Sequence, residues 1–363
     1  MVFKGLRPLG GTMICLNMIV KNESRVIRRC LESVKPLIDH WVIVDTGSTD
    51  ETKEIIEECL QGIPGELFDR SWVDFAHNRN EAMDLVKQGD YLLFIDADET
   101  LEWEEPLDKS SLELQCYLVK NRDLSVDFYR TLLIKRDTRW RWEGVLHETL
   151  VHPQEVSIGI IPQMVRNGLP RDGARAKDQQ RYARDAEILK KALEKDPGNT
   201  RTAFYLAQSL GSAGMREEAL AAYRQRFEME GSFDERYLSL YYSGCLAEDL
   251  RKSPSEVIGS YELAYRFDPK RAEPLASLTR YLLKSGFSLP AYLLAKFGLR
   301  HLRPESLMYV RREVYDYQLL FLFACAAQSL GKRHEAKEGY EELLSKNELP
   351  ESIREQIHRN LCL

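Results

Sequence analysis

The sequence predicts an α/β unit built on a mostly parallel, doubly wound sheet, followed by an all-α solenoid of paired helices. Three observations carry this expectation. Short apolar runs alternate with helical patterns in the first half, strand signals vanish from about residue 176, and small residues recur at a fixed spacing beyond it. At 363 residues the chain is longer than one hydrophobic core usually serves. A division into residues 1–175 and 176–363 is expected.

Met13–Val20, Trp41–Val44 and Tyr91–Ile95 are nearly continuous apolar runs. Strands look like this when helices cover both faces of a parallel sheet. Between them, Ser24–Val34 places Val26, Ile27, Cys30 and Leu31 on one helical face. Thr49–Leu60 follows Ser48-Thr49-Asp50-Glu51, which fits a capping box with Ser48 as the cap. Asn78–Lys87 is a third helical pattern, with Ala82, Met83, Leu85 and Val86 as its apolar residues. An open sheet of this order binds ligands beyond the carboxyl ends of its strands.

Those ends carry polar clusters: Lys21-Asn22-Glu23, then Asp45 to Asp50, then Asp96-Ala97-Asp98-Glu99. Side chains two apart on an extended strand point the same way, so Asp96 and Asp98 are expected to present two carboxylates together. Hard oxygen ligands of this kind suit Mg²⁺ or Mn²⁺, which take further ligands from substrate phosphates. Asp45 could accept from a base N–H, with the Ser48–Asp50 turn holding a nucleoside. The same turn also reads as a plain strand–helix connection in which Gly47 permits positive φ.

Taken in order, MIVKNESRVIRRCLESV, WVIVDTGSTDET, FAHNRNEAM and DYLLFIDADETL resemble a family 2 glycosyltransferase of the GT-A fold, a Rossmann-like α/β sheet, over about the first 150 residues. The resemblance implies an inverting transfer of a sugar from a nucleoside diphosphate, most often UDP, with Mn²⁺ or Mg²⁺. It implies nucleotide-sugar contacts from Asn22, Glu23, Asp45, Gly47, Ser48, Asp50, Arg79 and Asp96, with Asp98 as the principal metal ligand. Trp142 to Glu148 resembles the W-x-G-x-x-H-E stretch of some relatives. Inversion needs a carboxylate to take the acceptor's proton, so Glu148, with Glu143 second, is the expected base. His147 could complete the metal shell and Trp140 or Trp142 could stack on a sugar; the same residues also read as an amphipathic strand over Arg139–Trp142 with His147 a core histidine. Gly173-Ala174-Arg175 resembles a stretch that follows the catalytic domain in close relatives, with Arg175 either a linker residue or a clamp on the diphosphate.

The second half has a repeat close to the tetratricopeptide period. Ala207 and Ala219 lie twelve apart, as do Ala324 and Ala336, and Tyr223 and Tyr340 follow four later. Val257, Tyr261, Ala264 and Pro269 fit another copy, and Thr279 with Ala291 a weaker one. Ala192 and Pro197 suggest a preceding helix. Two helices pack closely when small side chains sit at their crossing, and stacked pairs make a curved solenoid. Arg224, Arg226, Arg236, Tyr237, Tyr241 and Tyr242 are expected to be exposed, either lining a groove or forming a solvated face.

Composition sets the remaining limits. Hydrophobic residues make up 44% and charged residues 30%, as in ordinary globular proteins. A net charge of −6 gives no basic field for nucleic acid. Seven scattered cysteines, with no C-x-x-C, indicate reduced thiols and a cytoplasmic protein. MICLNMIV is too short to span a bilayer, and no small-residue cleavage site follows it. The expected donor is a nucleoside diphosphate sugar, and the acceptor a protein or peptide selected by the repeats. The alternatives are a surface polysaccharide or lipopolysaccharide acceptor, and a non-catalytic scaffold with a degenerate nucleotide-sugar domain. Homo-oligomers through the repeats are conceivable.

Overall fold

The computed structural model describes residues 11–123, 126–168, 172–173, 178, 180–304 and 308–362. These fall into two compact units divided between Ala192 and Leu193, with the Ser125–Asp127 stretch grouped with the second. The boundary expected at 175/176 lies outside the described residues.

The first unit begins with β1 (Ile14–Val20), α1 (Ile27–Val34), β2 (His40–Asp45), α2 (Thr52–Cys59), β3 (Gly65–Asp69), α3 (Phe75–Asp84) and β4 (Tyr91–Leu93). β5 (Thr100–Trp103), β6 (Cys116–Asp123), β7 (Val126–Lys135), β8 (Arg141–Glu143), β9 (Thr149–Val151) and β10 (Ile158–Asn167) follow. The main sheet runs β3-β2-β1-β4-β7-β6-β10-β5, while β8 and β9 form a separate antiparallel ribbon. β1 pairs in parallel with β2 and β4, and β2 with β3; β7 then runs antiparallel to β4.

Strand alternation assigns each residue of β1 to a layer. Ile14, Leu16 and Met18 join a core with Ile27, Leu31 and Val34 of α1 and Ile56 of α2. Cys15 faces the other way and joins Val42, Met83, Leu92 and Phe94. Asn17 is buried on that side because its amide donates to the Ala82 carbonyl at the end of α3, at 2.9 Å. The sheet is therefore covered on both faces, as the apolar runs predict.

The local start signals differ from expectation. α2 begins at Thr52 after a Glu51 cap with no side-chain bond, and Ser48 Oγ instead accepts from Asn22 N–H at 2.8 Å. A neighbouring strand end thus takes the hydroxyl that a capping box would have used. α3 starts earlier than its apolar pattern suggests, capped by Asp74, which accepts from His77 N–H at 2.7 Å.

The second unit is a run of antiparallel helix pairs. α4 (Arg181–Lys195) spans the division between units; α5 (Thr200–Ser212) pairs with α6 (Arg216–Glu228), and α7 (Phe233–Asp249) with α8 (Pro254–Phe267). α9 (Glu273–Lys284) pairs with α10 (Ser288–Gly298), α11 (Leu319–Ser329) with α12 (Arg333–Leu344), and α13 (Glu351–Leu361) ends the run. Ala207, Ala219, Ala264, Ala291 and Ala324 are fully buried at the crossings, and Tyr223 and Tyr340 are buried beside them. A Cβ on Gly339 would approach Ala324 Cβ to 3.1 Å, which shows how close α11 and α12 come.

The expected row of exposed tyrosines and arginines is corrected. Arg226 and Tyr237 are fully buried and Tyr241 nearly so. Arg226 donates to Glu235 at 2.9 Å, Arg271 lies 4.5 Å above the Tyr237 ring, and Tyr241 Oη accepts from Arg311 at 2.8 Å. Arg236 donates to the Phe227 carbonyl, Tyr242 packs on Tyr223, and only Arg224, paired with Glu256, is largely exposed. Stacking covers each helix on two sides, so amphipathic-looking residues become internal polar contacts.

Among the described residues no helix is long and apolar enough to cross a membrane. One contact in the sheet gives a direct check. Gly65 pairs opposite Trp41, whose indole N–H donates to the Ile63 carbonyl at 3.0 Å, and a Cβ on Gly65 would fall 2.2 Å from Trp41 Cδ2. Gly65→Ala is expected to lower unfolding free energy by about 2 kcal/mol through overpacking, read from a denaturant midpoint. An unchanged midpoint would contradict that packing.

Candidate active site

The order of strands reverses between β1 and β4, and the polar clusters stand at their carboxyl ends and at that of β2. Such a switch point is where open α/β sheets form a crevice.

The β1 and β2 exits are tied to each other. Asn22 adopts φ 56°, and its side-chain oxygen accepts from Thr49 N–H at 2.8 Å. Glu23 N–H donates to Thr52 Oγ1 at 2.8 Å, and Ser24 N–H to Asp50 Oδ2 at 3.1 Å. Asp50 also accepts from Thr52, and these bonds hold its carboxyl below the usual range although burial opposes the shift. Asp45 is fully buried; its Oδ1 accepts from Gly47 and Ser48 N–H at 2.8 and 2.7 Å. Its Oδ2 is buried with no hydrogen-bond partner among the described residues. A buried carboxylate oxygen without a donor is costly unless a ligand supplies one. Gly47 adopts φ 103°, a conformation open to glycine at little cost.

The β4 exit is organised by arginines. The strand ends at Leu93, so Asp96 and Asp98 lie on a turn closed by Glu99 N–H donating to the Asp96 carbonyl at 3.0 Å. The extended strand from which their common direction is expected therefore stops short of both acids. Arg79 of α3 donates through Nε to Glu148 Oε1 and through an NH2 nitrogen to Asp96 Oδ1, both at 2.6 Å. Arg130 of β7 donates to Asp96 Oδ2 at 3.3 Å and to Glu99 Oε1 at 2.7 Å. Arg166 of β10 lies 3.5 Å from Glu99 and donates to the Phe94 carbonyl at 2.7 Å. Burial alone would raise the Asp96 carboxyl, but Arg79 and Arg130 hold it well below the usual carboxylate range.

Asp98 has the opposite environment. Burial, then the negative charges of Asp96 and Glu99, push its carboxyl up to about 6. Arg29 donates to its backbone carbonyl at 3.0 Å and pairs with Asp172, and its charge opposes the rise of the Asp98 carboxyl without cancelling it. A Cβ on Gly173 would lie 2.8 Å from Asp98 Oδ2 and 3.1 Å from its Cβ and Cγ, so the chain passes close against this side chain at a glycine. Among the described residues no group of three or more His, Cys, Asp or Glu side chains stands together as a metal cage. A cation at Asp98 would need waters and substrate phosphates among its other ligands, the habit of Mg²⁺ and Mn²⁺.

Glu148 follows the turn between β8 and β9. Gly144, at φ 107°, and His147, at φ 53°, bend that turn. Asn80 of α3 fixes it by exchanging two hydrogen bonds with the Trp142 backbone, at 2.8 and 2.9 Å. His147 and Glu143 are exposed, and Glu148 Oε2 meets no donor among the described residues. Trp140 is buried against His152 and so is not placed for stacking on a sugar. Trp142 carries the Arg79 guanidinium 5.0 Å above its ring and meets Phe94 edge to face. Arg175 lies outside the described residues.

Sequence reasoning missed Glu99, Arg130 and Arg166. The available signals were a third acid in DADE and single arginines inside the apolar stretches of β7 and β10, which a buried strand carries only when they are paired.

Residues 15–105 match the protein family Glycosyl transferase family 2. A TPR repeat-containing protein of Synechococcus elongatus, Synpcc7942_0270, is 40% identical over 96 residues, 26% of this chain and 23% of that protein. The SPbeta prophage-derived glycosyltransferase SunS of Bacillus subtilis is 26% identical over 226 residues, 58% of this chain and 51% of its own length. The chain thus spans between about a quarter and half of these relatives. The crystal structure of glucosyl-3-phosphoglycerate synthase from Mycobacterium tuberculosis with Mn²⁺ and UDP-glucose is 20% identical, covering 31% of this chain and 44% of its own, at a TM-score of 0.24. That likeness is too slight to bear on ligands. The N-terminal unit carries a family 2 glycosyltransferase domain, and tetratricopeptide-like helix pairs follow it in the chain.

Arg79 and Arg130 differ in burial, with side chains 9% and 38% exposed. Arg79→Met would strand two carboxylates and is expected to cost about 3 kcal/mol of stability, against about 1 kcal/mol for Arg130→Met. Chemical denaturation of the two variants measures the difference; equal losses would contradict the assigned roles.

Proposed function

We propose that the chain is a metal-dependent inverting glycosyltransferase that moves a sugar from a nucleoside diphosphate sugar, UDP in the favoured reading, to an acceptor. The observation that supports this most is the division of labour at the β4 exit. Arginines neutralise Asp96, while the Asp98 carboxylate, close against Gly173, has no side-chain donor among the described residues.

In this reading Asp45 Oδ2 accepts from the N–H of the base, and the Asn22–Glu23 and Gly47–Asp50 segments, already bonded to each other, form the nucleoside wall. Asp98 holds Mn²⁺ or Mg²⁺, with His147 as a second ligand from the β8–β9 turn. The cation, when bound, offsets charge developing on the departing nucleoside diphosphate. Arg79 fixes Asp96 next to the donor and orients Glu148 by a single bond to Oε1. Glu148 Oε2 takes the acceptor's proton as the acceptor attacks the anomeric carbon from the face opposite the diphosphate. The bond from that carbon to the diphosphate oxygen breaks, and the nucleoside diphosphate leaves.

The acceptor is a protein or peptide chosen by the helical repeats, since tandem helix pairs present long concave surfaces. A growing surface glycan is the rival acceptor.

Calorimetry with UDP tests the donor half: Asp98→Ala should weaken binding in Mn²⁺ at least about tenfold and leave metal-free binding unchanged. Binding that is indifferent to both Mn²⁺ and Asp98→Ala sinks the metal assignment. Glu148→Gln retains an acceptor for Arg79, so it should keep donor affinity while transfer falls about 10²–10⁴-fold. Full turnover in that variant moves the base elsewhere.

A further inference from the structure

α10 is packed with its larger apolar side chains outward. Its inner face is built from Ala291, Tyr292, Ala295 and Gly298, all buried. The small residues allow close approach: a Cβ on Gly298 would come within 2.9 Å of Leu319 Cδ2. The outer face carries Leu289, Leu293 and Phe297, four apart and 55%, 57% and 41% exposed. Residues at that spacing share one helical stripe. Phe287 before the helix is 56% exposed, and Leu302 beyond it is 87% exposed. Scattered apolar side chains on a surface are ordinary, but a contiguous stripe marks a docking face.

Charge selects the occupant. From Pro274 to Pro304 the chain has five basic residues and no Asp or Glu, although the whole protein has 51 Lys+Arg against 57 Asp+Glu. Lys296 and Arg300 lie on the outer stripe of α10 or just past its end. Acids reach this region only from other elements. Glu335 lies 3.5 Å from Lys296, Glu248 2.9 Å from Arg280 and 3.7 Å from Lys284, and Asp316 3.8 Å from Arg303. The pairs of Lys284, Lys296 and Arg303 are long and exposed, so they restrain their cations weakly. No described carboxylate pairs with Arg300. An apolar stripe edged by basic residues is the pattern of a helix lying in the headgroup region of a bilayer. A second copy meeting this face symmetrically would bring like charges together, which opposes that occupant.

We propose that the outer face of α10, flanked by Phe287 and Leu302, docks on an anionic lipid bilayer. Leu293 and Phe297 enter the acyl boundary, and Lys296 and Arg300 meet the phosphates. This holds whichever acceptor the transferase domain serves.

Co-sedimentation of the full chain tests it, using vesicles of phosphatidylcholine alone and of phosphatidylcholine mixed with phosphatidylglycerol. Binding is expected on the mixed vesicles, weakened by salt. Leu293→Glu and Arg300→Glu, both at exposed positions and checked for an unchanged circular dichroism spectrum, should each lower the partition coefficient about tenfold or more. No sedimentation with either vesicle, or sedimentation that both variants keep, overturns the proposal. A dimer seen by light scattering that Leu293→Glu dissociates, without vesicle binding by the parent, overturns it in favour of a second copy.

Discussion

A single guanidinium holds the crevice of the first unit in shape. Arg79 leaves α3, is almost fully covered, and bonds a carboxylate from the β4 exit and another from the β8–β9 turn. Glu148, with a side chain 11% exposed, depends on it most, because a carboxylate that is largely covered and unpaired is costly, whereas Asp96 keeps Arg130 as a second partner. The Trp142 ring beneath the same guanidinium and the Asn80 clamp on the ribbon backbone add to the restraint. Three segments far apart in sequence are thus positioned by one residue of one helix.

The arginines also decide which acids remain available. Asp96 has both oxygens engaged, and Glu99 is bonded to Arg130 and lies close to Arg166. Asp98 sits in the negative field of those two neighbours while receiving little from Arg29, whose own partner is Asp172. That combination raises the Asp98 carboxyl when no cation is present, and the same field attracts a divalent ion. On the far side of β1, Asp45 keeps a buried oxygen without a donor among the described residues. The two acids belong to one rim, separated by a single strand.

The layers of the fold were legible because apolar runs and helical periodicity act locally and do not depend on distant partners. β1 and β2 lie where MICLNMIV and WVIV place them, β4 starts with YLLFI but stops at Leu93, and Ala207, Ala219 and Ala324 sit at helix crossings as their spacing requires. Helix starts were harder. Ser48 looks like a cap in sequence, yet Asn22, 26 residues earlier, competes for its hydroxyl. The site was legible as a list of acids but not as a circuit, because spacing does not reveal which arginine will reach which carboxylate. Asp96 and Asp98 read alike in D-A-D and differ through the arginines that bond Asp96, Arg79 and Arg130. The tyrosines of α7 failed for a related reason, since stacking of helix pairs, rather than the helix's own pattern, determines which faces meet water.

In the proposed mechanism Asp98, the carboxylate at the β4 exit with no arginine bonded to its side chain among the described residues, grips a cation that the donor's diphosphate completes. Electron paramagnetic resonance of Mn²⁺ titrated with the full chain reads this most directly. The expected result is weak capture of Mn²⁺ by the protein alone, much tighter capture once UDP is added, and loss of that gain in Asp98→Asn. Tight capture without UDP, or a gain that survives in Asp98→Asn, would contradict it.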